Sequence, residues 1–145
     1  MTTRRLAAHG LSLAVPAGWD ARIERRPGAH PVLHASTQRL PAVRGDYGSG
    51  LVEKMGGRDV FVGLVEFDPA DGASPMFTGR GIPVLRETDF DPSAQQRVIP
   101  GMCGTQQFLV VGQRAFCLYV VLGSWVMRRV LTAKANTVVR TLAVT

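Results

Sequence analysis

The sequence predicts a single α+β domain over residues 1–145, in which an antiparallel β-sheet carries helices on both faces as an α/β/α sandwich. Two observations predict the sheet: a hairpin pattern in the last third of the chain, and strands that are apolar on both faces. A third, an amphipathic segment after the hairpin, predicts a covering helix. The length is typical of one domain, and 46% hydrophobic and 19% charged residues indicate a packed core.

The hairpin is the most regular pattern in the chain. Gln106–Val111 and Arg114–Leu122 flank Gly112-Gln113, and a two-residue loop with glycine first is typical of tight hairpins. Asp59–Phe67 is a further strand with apolar residues at both odd and even positions. Because side chains alternate between the faces of a strand, both faces of this sheet must be covered by protein.

The segment Trp125–Val139 is predicted to be the covering helix. Its apolar stripe, at spacings of three and four, consists of Met127, Leu131, Ala135, Val138 and Leu142. The residues expected on the opposite, exposed side are Arg129, Thr132, Asn136 and Arg140.

The remaining elements are shorter and are separated by glycine and proline. Three short strands, two short helices, one long loop and a terminal strand are predicted. In chain order they are strands Leu11–Val15, Ala21–Arg25 and Pro31–Ala35, helix Leu51–Met55, loop Asp68–Pro83, helix Asp91–Ile99 and strand Leu142–Thr145. Gly50 would cap the first helix, with Glu53 three residues later as half of a capping box.

The two cysteines are expected to be reduced. The hairpin register pairs Phe108 with Cys117 and places Cys103 opposite Leu122, several residues out of register for a disulfide. The longest uninterrupted apolar run, Ala115–Met127, has 13 residues, fewer than the ~20 that cross a bilayer. A cytoplasmic protein without membrane contact is therefore predicted.

The formal net charge is +6, and 15 of the 17 basic residues are arginine. Two short clusters stand out, formed by Arg4, Arg5, Arg22, Arg25 and Arg26. Neither cluster forms a basic stripe with interleaved aromatic residues, so no nucleic-acid partner is predicted. Nucleic-acid binding through these five arginines stays a competing hypothesis, which requires an affinity that falls steeply with salt.

The opening segment Leu11–Trp19, with its Pro-x-Gly-Trp turn at Pro16–Trp19, resembles the first strand and turn of PsbP-like domains. The closing order of hairpin, helix and short strand is similar to theirs as well. The resemblance implies an antiparallel sheet flanked by helices. It also implies a binding or adaptor role, because members of this group are generally not enzymes.

No metal site or cofactor is predicted. His30 and His34 have helical spacing, but Pro31 disfavours a helix, and on a strand they would stand roughly 13 Å apart. The carboxylates of Asp68–Asp71 and Asp89–Asp91 lack the further oxygen ligands of a calcium loop and are better explained as turns and a cap.

Catalysis is also disfavoured, and no catalytic residue is assigned. Cys103 lies in a flexible Pro-Gly turn but has no histidine in its half of the chain, and Cys117 is expected in the core. The glycine-rich segment 45–50 lacks the ending of a P-loop, although an anion could bind at Gly48, Ser49 and Gly50.

The predicted function is that of a non-enzymatic protein-binding or adaptor domain with an unidentified protein partner. Its candidate contacts are Met76, Phe77 and Trp125. Two alternatives stay open for Met76 and Phe77: they fold back onto the core, or they form an exposed patch. The competing prediction is a small-ligand or anion-binding domain, with or without enzymatic activity, that uses segment 45–50 or Cys103.

Overall fold

The computed structural model describes residues 3–145, which contain nine β-strands and one α-helix. The elements in chain order are β1 Arg4–Ala8, β2 Leu11–Val15, β3 Asp20–Glu24, β4 Val32–Ser36, β5 Val60–Phe67, β6 Gly79–Arg80, β7 Cys103–Val111, β8 Arg114–Leu122, α1 Arg128–Val139 and β9 Ala143–Val144. Short 3₁₀ helices lie at Val52–Lys54, Pro69–Ala73 and Glu87–Asp89.

The strands form two sheets. The larger has six strands in the order β3-β4-β5-β8-β7-β6, and only the β6–β7 pair is parallel. The smaller has three antiparallel strands in the order β1-β2-β9. The predicted hairpin register is confirmed, because Phe108 pairs with Cys117 and Cys103 with Leu122. Both cysteines are free, as expected.

The predicted α/β/α sandwich is wrong: the chain is mostly β, with one α-helix in the part that the structure describes. α1 and the small sheet cover one face of the large sheet, and loops cover the other. The helix expected at Asp91–Ile99 does not form, because the Asp91 backbone exchanges two hydrogen bonds with Gly104 and is extended there. The helix expected at Leu51–Met55 is a single 3₁₀ turn.

α1 packs on the face with the larger core. Leu131, Ala135, Val138 and Leu142 are buried as the stripe predicted, whereas Met127, which the stripe also placed in the core, is 40% exposed because it precedes the helix. Thr132 and Asn136 were expected on the exposed side, and both assignments are wrong because both residues are buried. The Asn136 side-chain amide donates to the Leu85 carbonyl at 2.8 Å and accepts from the Leu85 backbone amide at 3.0 Å, so the segment around Leu85 lies over this side of the helix.

The second face is covered by two loops, residues 37–59 and 92–102, that contribute Leu40, Leu51, Met55 and Met102 to a second cluster. Gly48 passes so close to the Phe61 ring that a Cβ would lie 2.8 Å from it, and its φ of 85° favours glycine. Irregular backbone rather than a second helix therefore completes this core.

β1 was not predicted, because Arg4–Ala8 shows little apolar alternation and is largely exposed. It pairs with β2 through a tight turn at His9-Gly10, where both residues have positive φ. Arg114 joins this end of the chain to the large sheet: its guanidinium donates twice to Glu66, at 2.6 and 2.9 Å, and once to the His9 carbonyl at 3.2 Å.

Candidate functional site

Phe77 and Met76, which the sequence suggested as contact residues, lie in different environments. Phe77 is 3% exposed, and its ring packs edge-on against Phe67 and Phe108 at 5.5 and 5.3 Å between ring centroids. Met76 is about half exposed. Phe77 therefore folds back onto the core, and of these two residues only Met76 is available to a partner.

Trp125 lies half-buried in the turn that leads into α1. Its amide donates to the Gly101 carbonyl at 2.7 Å, and the Arg128 guanidinium lies 3.9 Å from the centre of its ring. This is a cation–π contact, in which the guanidinium is attracted to the face of the aromatic ring. Trp125 is thus fixed between the core and the surface beside the start of α1.

The outward side of α1 and its entry turn carries exposed apolar residues. Val126 is 85% exposed and Val130 59% exposed, and Met127 and Ala133 are exposed beside them. These four residues are referred to below as the α1 patch. Val130 and Ala133 lie three residues apart on the helix and are therefore neighbours, and Val126 and Met127 precede them in the entry turn. The apolar spacing 126, 130, 133 was visible in the sequence, but it was obscured by the stronger buried stripe.

The charges next to the α1 patch are positive. Arg128 and Arg129 occupy the first turn of α1, which contains no acidic residue. Cations at a helix N-terminus oppose the helix dipole, which favours anions there. Arg128 is explained by its contact with Trp125, whereas Arg129 is exposed and has no hydrogen bond within residues 3–145.

The glycine-rich segment is not arranged as an anion site. The Gly50 amide donates to the Glu53 carboxylate at 2.9 and 3.0 Å, the contact that the half capping box predicted. The Gly48 amide donates to the Gly45 carbonyl at 3.0 Å. The Glu53 carboxylate already accepts from the Gly50 amide, and the 3₁₀ helix that follows has only three residues. An anion would therefore find few free backbone N–H groups at Gly48, Ser49 and Gly50.

The two thiols lie in the cores. Cys103 and Cys117 are fully buried, and burial raises the pKa of Cys103 to about 11 and that of Cys117 to about 12. Since the thiolate is the nucleophile, neither side chain is activated at neutral pH. Within residues 3–145, no three His, Cys, Asp or Glu side chains are grouped to hold a metal ion.

A cleft of about 810 Å³ lies where the β3–β4 hairpin meets the loop that follows β4, and it is referred to below as the β3–β4 cleft. Its lining comprises Glu24, Arg25, Arg26, Pro27, Ala29, His30, Val32, His34, Ala42, Val43, Arg44 and Asp46. Arg22, the third arginine of the second cluster, lines a separate depression with Arg39 and Lys54.

His34 forms the buried floor of the cleft and is 4% exposed. Its Nδ1 accepts from Arg44 Nε at 2.8 Å, so Nε2 carries the proton and donates to the Asp46 carbonyl at 2.7 Å. Burial lowers the pKa of His34 to about 4, and the nearby Arg44 acts in the same direction. The ring is therefore neutral at physiological pH.

Arg44 holds the loop onto the sheet. Its side chain is 3% exposed, and besides His34 it donates to the Pro41 carbonyl at 2.7 Å and pairs with the Glu24 carboxylate. A buried guanidinium is tolerated only when it is paired and hydrogen-bonded. Arg44 and His34 together therefore act as a rigid polar base for the cleft.

The rim of the cleft carries the exposed charges. Arg26 pairs with Asp46, and His30 Nε2 lies 2.6 Å from an Asp68 oxygen. Arg25 uses its Nε to donate to the Ala29 carbonyl at 3.0 Å. From the sequence, His30 and His34 were considered only as a metal pair, and no sequence pattern predicts that Arg25, Arg26 and the 41–46 loop converge here.

Comparison with family models, with curated proteins and with solved structures found no match to this chain. Among the described residues, α1 is too short to cross a membrane.

Proposed function

We propose that this chain is a non-enzymatic protein-binding domain whose contact surface is the α1 patch with Arg129 beside it. The observation that carries the proposal is the exposure of Val130 on α1 and of Val126 in the turn that leads into it. The partner that fits is a protein surface with apolar side chains and neighbouring carboxylates.

Two departures from ordinary helix design coincide in this surface. Solvent-facing helix positions are usually polar, yet Val130 is an exposed valine in α1, and Val126 is a second one in the turn before it. First helical turns favour acids, yet this one contains Arg128 and Arg129. Local rules are typically broken at functional sites, and an acidic apolar partner would relieve both departures at once.

Three further observations support a binding role. Trp125 lies next to the patch and is held by Arg128, and tryptophan is enriched at binding hot spots. The resemblance of Leu11–Trp19 to PsbP-like domains points to a group that generally binds rather than catalyses. The buried, high-pKa thiols disfavour the competing enzyme that would use Cys103. Two unpaired cysteines also fit the proposed cytoplasmic location.

The test compares two double variants with the same chemical change. Val126→Ser/Val130→Ser alters the α1 patch, and Val84→Ser/Val98→Ser alters two exposed valines elsewhere. In affinity capture from native lysate, we expect a protein retained by the wild type and the control variant to be lost with the patch variant. Loss of two apolar contacts at an interface lowers affinity by about tenfold or more.

The charge requirement is tested with the captured protein. Arg129→Glu should weaken binding, and the weakening should be largest at low salt, where exposed charges are least screened. Two results would overturn the proposal: equal capture by both double variants, or insensitivity to Arg129→Glu. If sedimentation shows that the wild type self-associates and the patch variant does not, the occupant is a second copy of this chain.

A further inference from the structure

We infer that the β3–β4 cleft binds a small organic anion, whose acidic group contacts Arg25 and Arg26 and whose carbon skeleton lies against the apolar part of the lining. This site is separate from the α1 patch. It also differs from the amides of Gly48 and Gly50, which are already hydrogen-bonded within the chain.

The size and lining of the cleft fit a metabolite-sized ligand. Its volume of about 810 Å³ falls in the range of roughly 300–1,000 Å³ that is common for small-molecule sites. Pro27, Val32 and Val43 supply apolar surface, and Val43 is 89% exposed at the rim. A few charged groups among apolar ones is the usual composition of a site that orients a ligand.

The floor of the cleft is preorganised. Arg44 is bonded to His34, Glu24 and the Pro41 carbonyl, which ties strand β3, strand β4 and the covering loop together. Because these groups satisfy one another, the ligand does not have to order the floor when it binds. The floor is also electrically balanced, since Arg44 is paired with Glu24 and His34 is neutral.

The positive charge that can attract a ligand anion therefore lies on the rim of the cleft. Arg25 commits only its Nε, so its two terminal nitrogens have no acceptor within residues 3–145. Arg26 is paired with Asp46, but their side chains are 71% and 41% exposed. Exposed ion pairs contribute little to stability, so a ligand anion can displace Asp46 from Arg26 at small cost.

The positions of the two arginines suit a shared anion. They are the two residues that follow β3, and Arg26 begins the turn in which the Ala29 amide donates to the Arg26 carbonyl at 3.0 Å. Both residues line the same cleft. Planar guanidinium groups bind the oxygens of carboxylates and phosphates through paired hydrogen bonds. The acidic group of the ligand can therefore be a carboxylate or a phosphate.

The test uses two probes, citrate and inorganic phosphate, titrated at equal ionic strength and followed by amide chemical shifts. We expect saturable shifts at residues 25–30 and 42–46 and none in α1. Stronger binding of citrate would indicate that the acidic group of the natural ligand is a carboxylate. Stronger binding of phosphate would indicate that it is a phosphate.

Two double variants make the assignment specific. Arg25→Gln/Arg26→Gln removes the proposed contacts, while Arg22→Gln/Arg39→Gln removes the same charge from the neighbouring depression. Charge-assisted hydrogen bonds are strong, so the dissociation constant of the better probe should rise about tenfold or more in the first variant. In the control variant it should change less than about twofold, the part that comes from the overall field.

The inference is overturned by unsaturable shifts for both probes, by shifts that spread over unrelated arginines, or by equal weakening in the two variants. The wild-type shift map does not depend on whether a variant folds. Neither variant touches the α1 patch, so this result and that of the partner experiment can be told apart.

Discussion

The two faces of the six-stranded sheet are closed in different ways. α1 and the small sheet cover one face with regular elements, and the only buried polar side chains that α1 brings are Thr132 and Asn136. Loops cover the other face, where His34 and the hydroxyl of Tyr119 form hydrogen bonds to loop backbone. Carbonyls and amides of irregular backbone are not all paired with one another, so they can form hydrogen bonds with polar side chains that are buried beneath the loop. The helix-covered face has the larger apolar core, and the loop-covered face contains the cleft.

The largest expected effect separates the inner and outer sides of α1. Leu131→Asp places a carboxylate at a position that is 2% exposed and should destabilise the fold by about 4 kcal/mol or more. Val130→Asp, one residue earlier, should change stability by less than about 0.5 kcal/mol because Val130 faces solvent. Urea denaturation measures both. Similar losses for the two variants would show that α1 does not dock by this face.

Sequence patterns predicted the regular half of this comparison well. The hairpin register, the central strand and the inward stripe of α1 from Leu131 onward were predictable because alternation and helical spacing repeat over many residues. Loop 92–102 was mistaken for a helix, because Asp91-Pro92 is equally a good start for a turn: Asp91 Oδ1 accepts from the Ser93 amide at 2.7 Å. A local signal cannot reveal that the Asp91 backbone pairs with Gly104.

The candidate sites show the same division. The exposed strip of α1 could be found from helical spacing, since Val126 and Val130 lie off the buried stripe. The cleft could not be found in this way. It depends on Arg44 reaching back 10 residues to His34 and 20 to Glu24, and contacts of that kind leave no periodic trace in a sequence.

A pH titration tests the buried histidine of the loop-covered face. Because the pKa of His34 is lowered to about 4 in the folded state and is near 6.5 when unfolded, both states are neutral above pH 7. Below pH 6.5 the unfolded state binds a proton first, so stability is lost as the pH falls to about 4. The loss should reach about 3 kcal/mol.

The matched variant for this titration is His34→Gln, whose amide can still donate to the Asp46 carbonyl. Carboxylates titrate in both proteins, so the difference between their stability curves isolates the histidine. We expect that difference to change between pH 7 and 4. Parallel curves over this range would mean that His34 is not buried as a neutral ring.

Asn136 is the corresponding polar group on the helix-covered face. Asn136→Ala removes the amide that satisfies both the backbone N–H and the carbonyl of Leu85, and it should cost about 2 kcal/mol. Thr137→Ala, on the exposed side of the next position, should cost less than about 0.5 kcal/mol. If the two variants are equally stable, water replaces the Asn136 amide, and the segment around Leu85 does not pack closely on α1.

The smallest expected effect concerns the anchor of loop 92–102. The Tyr119 hydroxyl accepts from the Gln96 amide at 2.8 Å, whereas Tyr47, which packs edge-on against Tyr119, makes no hydroxyl hydrogen bond within residues 3–145. Tyr119→Phe removes the acceptor of the Gln96 amide, so hydrogen exchange at Gln96 should become faster. The free energy of unfolding should fall by only about 1 kcal/mol, because Gln96 is exposed and its amide can bond to water instead. Tyr47→Phe should leave both quantities unchanged. Faster exchange at Gln96 in both variants would assign the effect to loosened aromatic packing, and the loop-covered face would then be held by packing rather than by its hydrogen bonds.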